Sequence, residues 1–134
     1  MNTRALTRVT APRKLRITLT AGQAAEAVAR GEVRAAIRAW NVPVDPSVAV
    51  LLTSELVTNA LRREAGRTIE LVISCALGQL QVDVYDTAPA MALPGGTPAG
   101  VATGQEVMLL ASLSSSWGDY RTPTTEARYF TLMF

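Results

Sequence analysis

A carboxylate and a carboxamide four residues apart, Glu55 and Asn59, stand in the stretch LLTSELVTNALRRE, Leu51 to Glu64, whose other residues read as a buried helix. On a helix, residues i and i+4 share one face, so both groups project into the same space. Val48, Leu51 and Leu52 flank that stripe on the helical wheel, setting it against a core rather than in bulk water. A half-buried Glu/Asn pair needs a partner. The chain has no histidine and a single cysteine, Cys75, so a metal here would have to accept hard oxygen ligands. Histidine-based triads, internal disulfides and cysteine-rich zinc sites are excluded by the same counts.

A second informative stretch is TAPAMALPGGTPAGVAT, Thr87 to Thr103, which holds three prolines and three glycines and no charge. Long loops of this kind are often lids or binding loops. The loop leads into GQEVMLLASLSSSW, whose apolar spacing at Val107, Leu110 and Leu113 predicts a helix from Gly104. A helix N-terminus fed by such a loop is a place where backbone N–H groups and the helix dipole can meet an anion. Asp86 stands where the preceding strand gives way to this loop.

These residues must be positioned by the rest of a 134-residue chain, about one domain long, with 49% apolar residues and ample material for a single core. Residues 1–14 carry four cations without clear periodicity and are expected to form a loose basic tail; residues 15–134 form the domain. Leu15 to Thr20 alternates like a half-buried strand. Ala21 to Trp40 has helical spacing, with Gly31 a possible break and Arg30, Arg34 and Arg38 as a solvated stripe. Asn41 to Pro46 is a turn, after which Ser47 is expected to cap the Glu55/Asn59 helix and Ala65-Gly66 to end it. Ile69 to Cys75 and Leu80 to Asp86 read as antiparallel strands turning at Gly78-Gln79, and Tyr120-Arg121 and Ala127 to Phe134 as closing strands. The order β-α-α-β-β-α-β-β predicts an α+β two-layer sandwich, a mostly antiparallel sheet with helices on one face.

Residues 1–67 hold eleven Arg/Lys against five Asp/Glu, whereas residues 68–120 hold no cation and five acids. The cations are scattered and aromatics few, so direct nucleic-acid binding is not expected. No apolar run is long enough for a signal peptide or membrane span, and a cytoplasmic location is expected.

SELVTNALRR resembles the N-box helix of the GHKL ATPases, the Bergerat-fold superfamily that includes gyrase, histidine kinases and anti-sigma-factor serine kinases. From about Leu15 to Leu132 the order of elements, with DTAP at Asp86 to Pro89, a lid, a helix led by Gly104 and Trp117-Gly118, is similar to the short stand-alone anti-sigma/serine-kinase-like branch common in actinobacteria. The resemblance implies ATP and Mg2+ as cofactors. Asn59 would help coordinate magnesium, Glu55 would be the general base or orient the nucleophile, and Asp86 would accept a hydrogen bond from the adenine amino group. Ala88 and Gly104 would line the nucleotide site. It also implies protein partners, a sigma factor and a STAS-type antagonist phosphorylated on serine, and a homodimer.

The chain departs from the pattern at several points. Glu106 stands where the family has the second glycine of Gly-x-Gly, Ala88 where larger relatives have glycine, Ala127 where a threonine often approaches adenine, and Arg63 where histidine is frequent. A glutamate among phosphates opposes their charge, and the sequence offers no cation between Arg67 and Arg121 to offset it. On this reading Glu106→Gly should tighten ATP binding. Two functions follow: an ATP-dependent anti-sigma-like serine kinase, or a non-catalytic relative that keeps the fold and a protein-binding surface with weak or no nucleotide binding.

Overall fold

The computed structural model describes residues 12–20, 22–61, 68–86 and 104–134. Its elements follow in the expected order: β1 (Arg13–Thr20), α1 (Gln23–Ala39), α2 (Pro46–Leu61), β2 (Thr68–Ala76), β3 (Gln79–Asp86), α3 (Gly104–Leu113), β4 (Ser116–Arg121) and β5 (Glu126–Met133). The strands form one antiparallel sheet in the order β1-β2-β3-β5-β4. Period-two alternation sends Ile17, Leu71, Val84, Val82 and Phe130 to the face that meets the helices, where they build the core with Leu52, Leu56 and Val57 of α2. This is the expected α+β two-layer arrangement. No helix among the described residues is long and apolar enough to cross a membrane.

α1 runs unbroken through Gly31, because the alanine-rich flanks keep helix propensity high and Ala29, Val33, Ala36 and Ile37 bury one stripe. Asn41 closes it in the left-handed region, φ 53°, which asparagine tolerates. The cap of α2 is Asp45 rather than the expected Ser47. Its Oδ1 accepts the Ser47 N–H at 2.9 Å and its carbonyl accepts the Ala49 N–H at 3.2 Å. Pro46 then takes the first helical position, where its missing N–H costs nothing. α2 buries Ala49, Leu52, Thr53, Leu56, Val57 and Ala60, while Leu51, expected to flank the polar pair on the core side, is 40% exposed.

The β2–β3 turn is Leu77-Gly78, one residue ahead of the expected Gly78-Gln79, and Gln79 begins β3 instead. Both turn residues have positive φ, 54° and 73°, the combination that matches the twist of a two-residue hairpin. On the sheet face away from the helices, Asp83 is only 4% exposed. Its carboxylate accepts the Tyr120 hydroxyl at 2.7 Å and the Gln81 amide at 3.1 and 3.2 Å. Burial nevertheless dominates and pushes the Asp83 pKa up.

Candidate functional site

Four of the sequence-nominated residues lie on three described elements, and Ala88 lies outside the described residues, as do Arg62, Arg63 and the loop of residues 87–103. Glu55 and Asn59 sit half-buried one turn apart on α2. Among the described residues neither side chain has a hydrogen-bond or ion-pair partner, although Glu55 feels a carboxylate on α3. Asp86 ends β3 with the parity of Leu80, Val82 and Val84, 4% exposed, in register with Ile69 on one side and Glu126 on the other. Gly104 begins α3 exposed to solvent, and a Cβ there would meet nothing within 4 Å.

The rotation of α2 that presents Glu55 and Asn59 is held by a neighbour that sequence reading missed. Glu26, in the first turn of α1, accepts the Ser54 hydroxyl at 2.8 Å and the Thr58 hydroxyl at 3.1 Å. Ser54 and Thr58 are themselves one turn apart, so one carboxylate fastens two successive turns of the helix. The Ser54 bond, then the Thr58 bond and the charge of Arg30 at 3.8 Å, outweigh desolvation and hold the Glu26 carboxyl below its ordinary pKa. A signal existed: Glu26 lies three residues before Ala29 and seven before Val33, on the edge of the buried stripe.

Glu106 corrects the sequence reading most. Helical spacing singled out Val107, Leu110 and Leu113 as the apolar stripe of α3, yet Val107 and Leu113 are exposed and the buried positions are Glu106 and Leu110. The Glu106 side chain is 1% exposed and meets Arg128 of β5, Nη1 to Oε1 at 2.9 Å. Arg128, 11% exposed, also donates through Nε and Nη2 to Asp119, its cross-strand neighbour on β4. A cation beside Glu106 therefore exists, on β5 and C-terminal to Arg121. Burial raises the Glu106 pKa, the charge and hydrogen bond of Arg128 pull it down, and the charges of Glu55 and Asp119 push it up; the net direction is upward. For Arg128, burial works against the charge, but the Asp119 bond and the field of Glu106 prevail and raise its pKa. Arg128 was findable: in ARYFTLM it shares parity with Phe130 and Leu132, a cation on the apolar side of a strand.

The structure thus brings Glu55 and Glu106 within electrostatic reach across α2 and α3, with Arg128 behind Glu106. The donor set fits a magnesium nucleotide. Among the described residues no group of three or more His, Cys, Asp or Glu could hold a metal, but magnesium needs only one or two protein oxygens because phosphates and water complete its shell. The Glu106 carboxylate is turned to Arg128 inside the fold, and Arg128 is shared with Asp119.

No family model and no curated protein matches the chain. Among solved structures, the crystal structure of the RsbU and RsbW domains of Rv1364c from Mycobacterium tuberculosis is similar, with a TM-score of 0.62 and 19% identity over 90% of this chain and 32% of that one. The chain spans about a third of the length of that relative. At this identity the likeness shows the fold alone, an α+β arrangement of strands and helices shared with that crystal structure.

Proposed function

We propose that this chain is a regulatory protein that binds a magnesium adenine nucleotide between α2, the end of β3 and the start of α3. The observation that carries the reading is the contrast along one helix: Ser54 and Thr58 are both engaged by Glu26, whereas Glu55 and Asn59 on the adjoining face are half-buried and make no hydrogen bond to any described residue. The Asn59 amide oxygen would face the metal, and the Asp86 carboxylate would accept the adenine amino group, where guanine presents a carbonyl oxygen at the same ring position. Magnesium would supply charge neutralisation of the phosphates. Glu55 is held on a rigid helix where its carboxylate could accept a proton from an incoming serine hydroxyl.

The fold likeness supports a finer reading, an anti-sigma-factor-like protein that phosphorylates a STAS-type antagonist, acting as a homodimer. A second reading, a binding module without catalysis, is favoured by Glu106, whose side chain stands where the family pattern has glycine. Calorimetric titration with Mg-ATP and Mg-GTP tests the nucleotide reading, since the module is expected to bind nucleotide weakly or not at all. Binding of ATP in preference to GTP, at least about tenfold weaker in Asn59→Ala, is expected from loss of one metal-facing oxygen. Absence of ATP binding, or equal binding by Asn59→Ala, would overturn it. Transfer of labelled phosphate to a serine protein, abolished in Glu55→Gln, separates the kinase from the module.

A further inference from the structure

Away from that site, the C-terminal end of α1 and the connector to α2 enclose a groove of about 460 Å³. Its walls carry Arg34, Arg38 and Asn41, and its floor is apolar, formed by Ile37, Val42 and Val44. The geometry is fixed by the helix end: the left-handed Asn41 lets the Val42 N–H reach back to the Ile37 carbonyl at 3.0 Å, folding Val42 under the helix.

Two of the described cations without a carboxylate partner lie side by side here. Arg16, Arg30, Arg121 and Arg128 each have a carboxylate partner, but Arg34 and Arg38, four residues apart and both exposed, are ion-paired to no described residue. Like charges one turn apart repel, so the pair is a local cost unless something acidic is bound. The nearest acid of the connector, Asp45, is engaged as the cap of α2. Two guanidiniums at helical spacing match two carboxylates at the same spacing on another helix, each able to form a forked pair. The apolar floor argues against a phosphate backbone, which wants more cations and offers nothing to Ile37, Val42 and Val44.

We propose that this groove docks an acidic, aliphatic peptide segment of a partner protein, with carboxylates one turn apart on Arg34 and Arg38 and an aliphatic side chain on the floor. The site is independent of the nucleotide reading and is tested without nucleotide. The probe is a short fluorescein-labelled peptide of glutamate and leucine at helical spacing, followed by anisotropy against the full chain. Saturable binding is expected, weakened at least about tenfold by Arg34→Glu with Arg38→Glu, by Val44→Lys, and by exchanging the peptide's glutamates for glutamine. Both arginines are exposed, so unchanged thermal melting would show that the double variant is folded. Absence of binding by the wild type, equal binding by the double variant, or displacement by inorganic polyphosphate as effective as by unlabelled peptide would each overturn the proposal.

Discussion

Two carboxylates within electrostatic reach of each other, Glu55 on α2 and Glu106 on α3, live under opposite conditions. Glu106 is buried and its charge is spent inside the protein, on an arginine that is in turn shared with Asp119. Glu55, with Asn59 one turn on, is half-buried and hydrogen-bonded to nothing described. Charge used for architecture tends to be consumed; charge left half-desolvated and unspent is available for a ligand. The difference also reverses the meaning of Glu106. Read from sequence it is an obstacle to phosphate, whereas its packing turns the carboxylate to Arg128 inside the fold.

This contrast can be broken by substitution. The largest effect should come from Arg128→Ala, which removes the cation beside a buried acid and is expected to cost about 3–5 kcal/mol in urea unfolding. Asn59→Ala, which gives up no hydrogen bond to a described residue, should cost less than about 1 kcal/mol. Comparable losses in the two variants would erase the distinction.

A middle-sized effect concerns pH. Asp83 and Glu106 have raised folded pKa values, so the folded state holds their protons more tightly than the unfolded state does. Their contribution to stability is therefore greatest in acid and falls as pH rises from about 4 through the raised values. Asp83→Asn should flatten that fall, measured as urea midpoints between about pH 4 and 7; an unchanged slope would mean that Asp83 is not desolvated.

Glu26 has the opposite sign. Its lowered pKa gives stability present above the ordinary carboxylate range and lost as pH drops through the folded value. Its side chain is 36% exposed, so solvent screens it and Glu26→Gln should cost only a few tenths of a kcal/mol. A loss above about 2 kcal/mol would show that fastening α2 depends on Glu26 far more than its exposure allows.

The elements were legible because each rests on local rules: alternation in β1 to β3, helical spacing in α1 and α2, the prolines around Asp45. That Glu55 and Asn59 stand one turn apart on one half-buried helix face was legible for the same reason. The Glu106–Arg128 pair was not, since its members are 22 residues apart and meet only after β5 inserts between β3 and β4. The polar residue inside an apolar strand face at Arg128 was the available clue. The failed stripe on α3 has the same origin: Val107 and Leu113 looked like core only while Glu106 had no buried partner.

The central claim, that Glu106 is neutralised within the fold and leaves Glu55 and Asn59 to the ligand, is tested most directly by the Mg-ATP affinity of Glu106→Gln beside the wild type. With its charge already spent on Arg128, removing it should change the affinity by less than about threefold. Tightening of tenfold or more would mean that the carboxylate opposes the phosphates after all, and binding by neither protein would contradict the nucleotide reading itself.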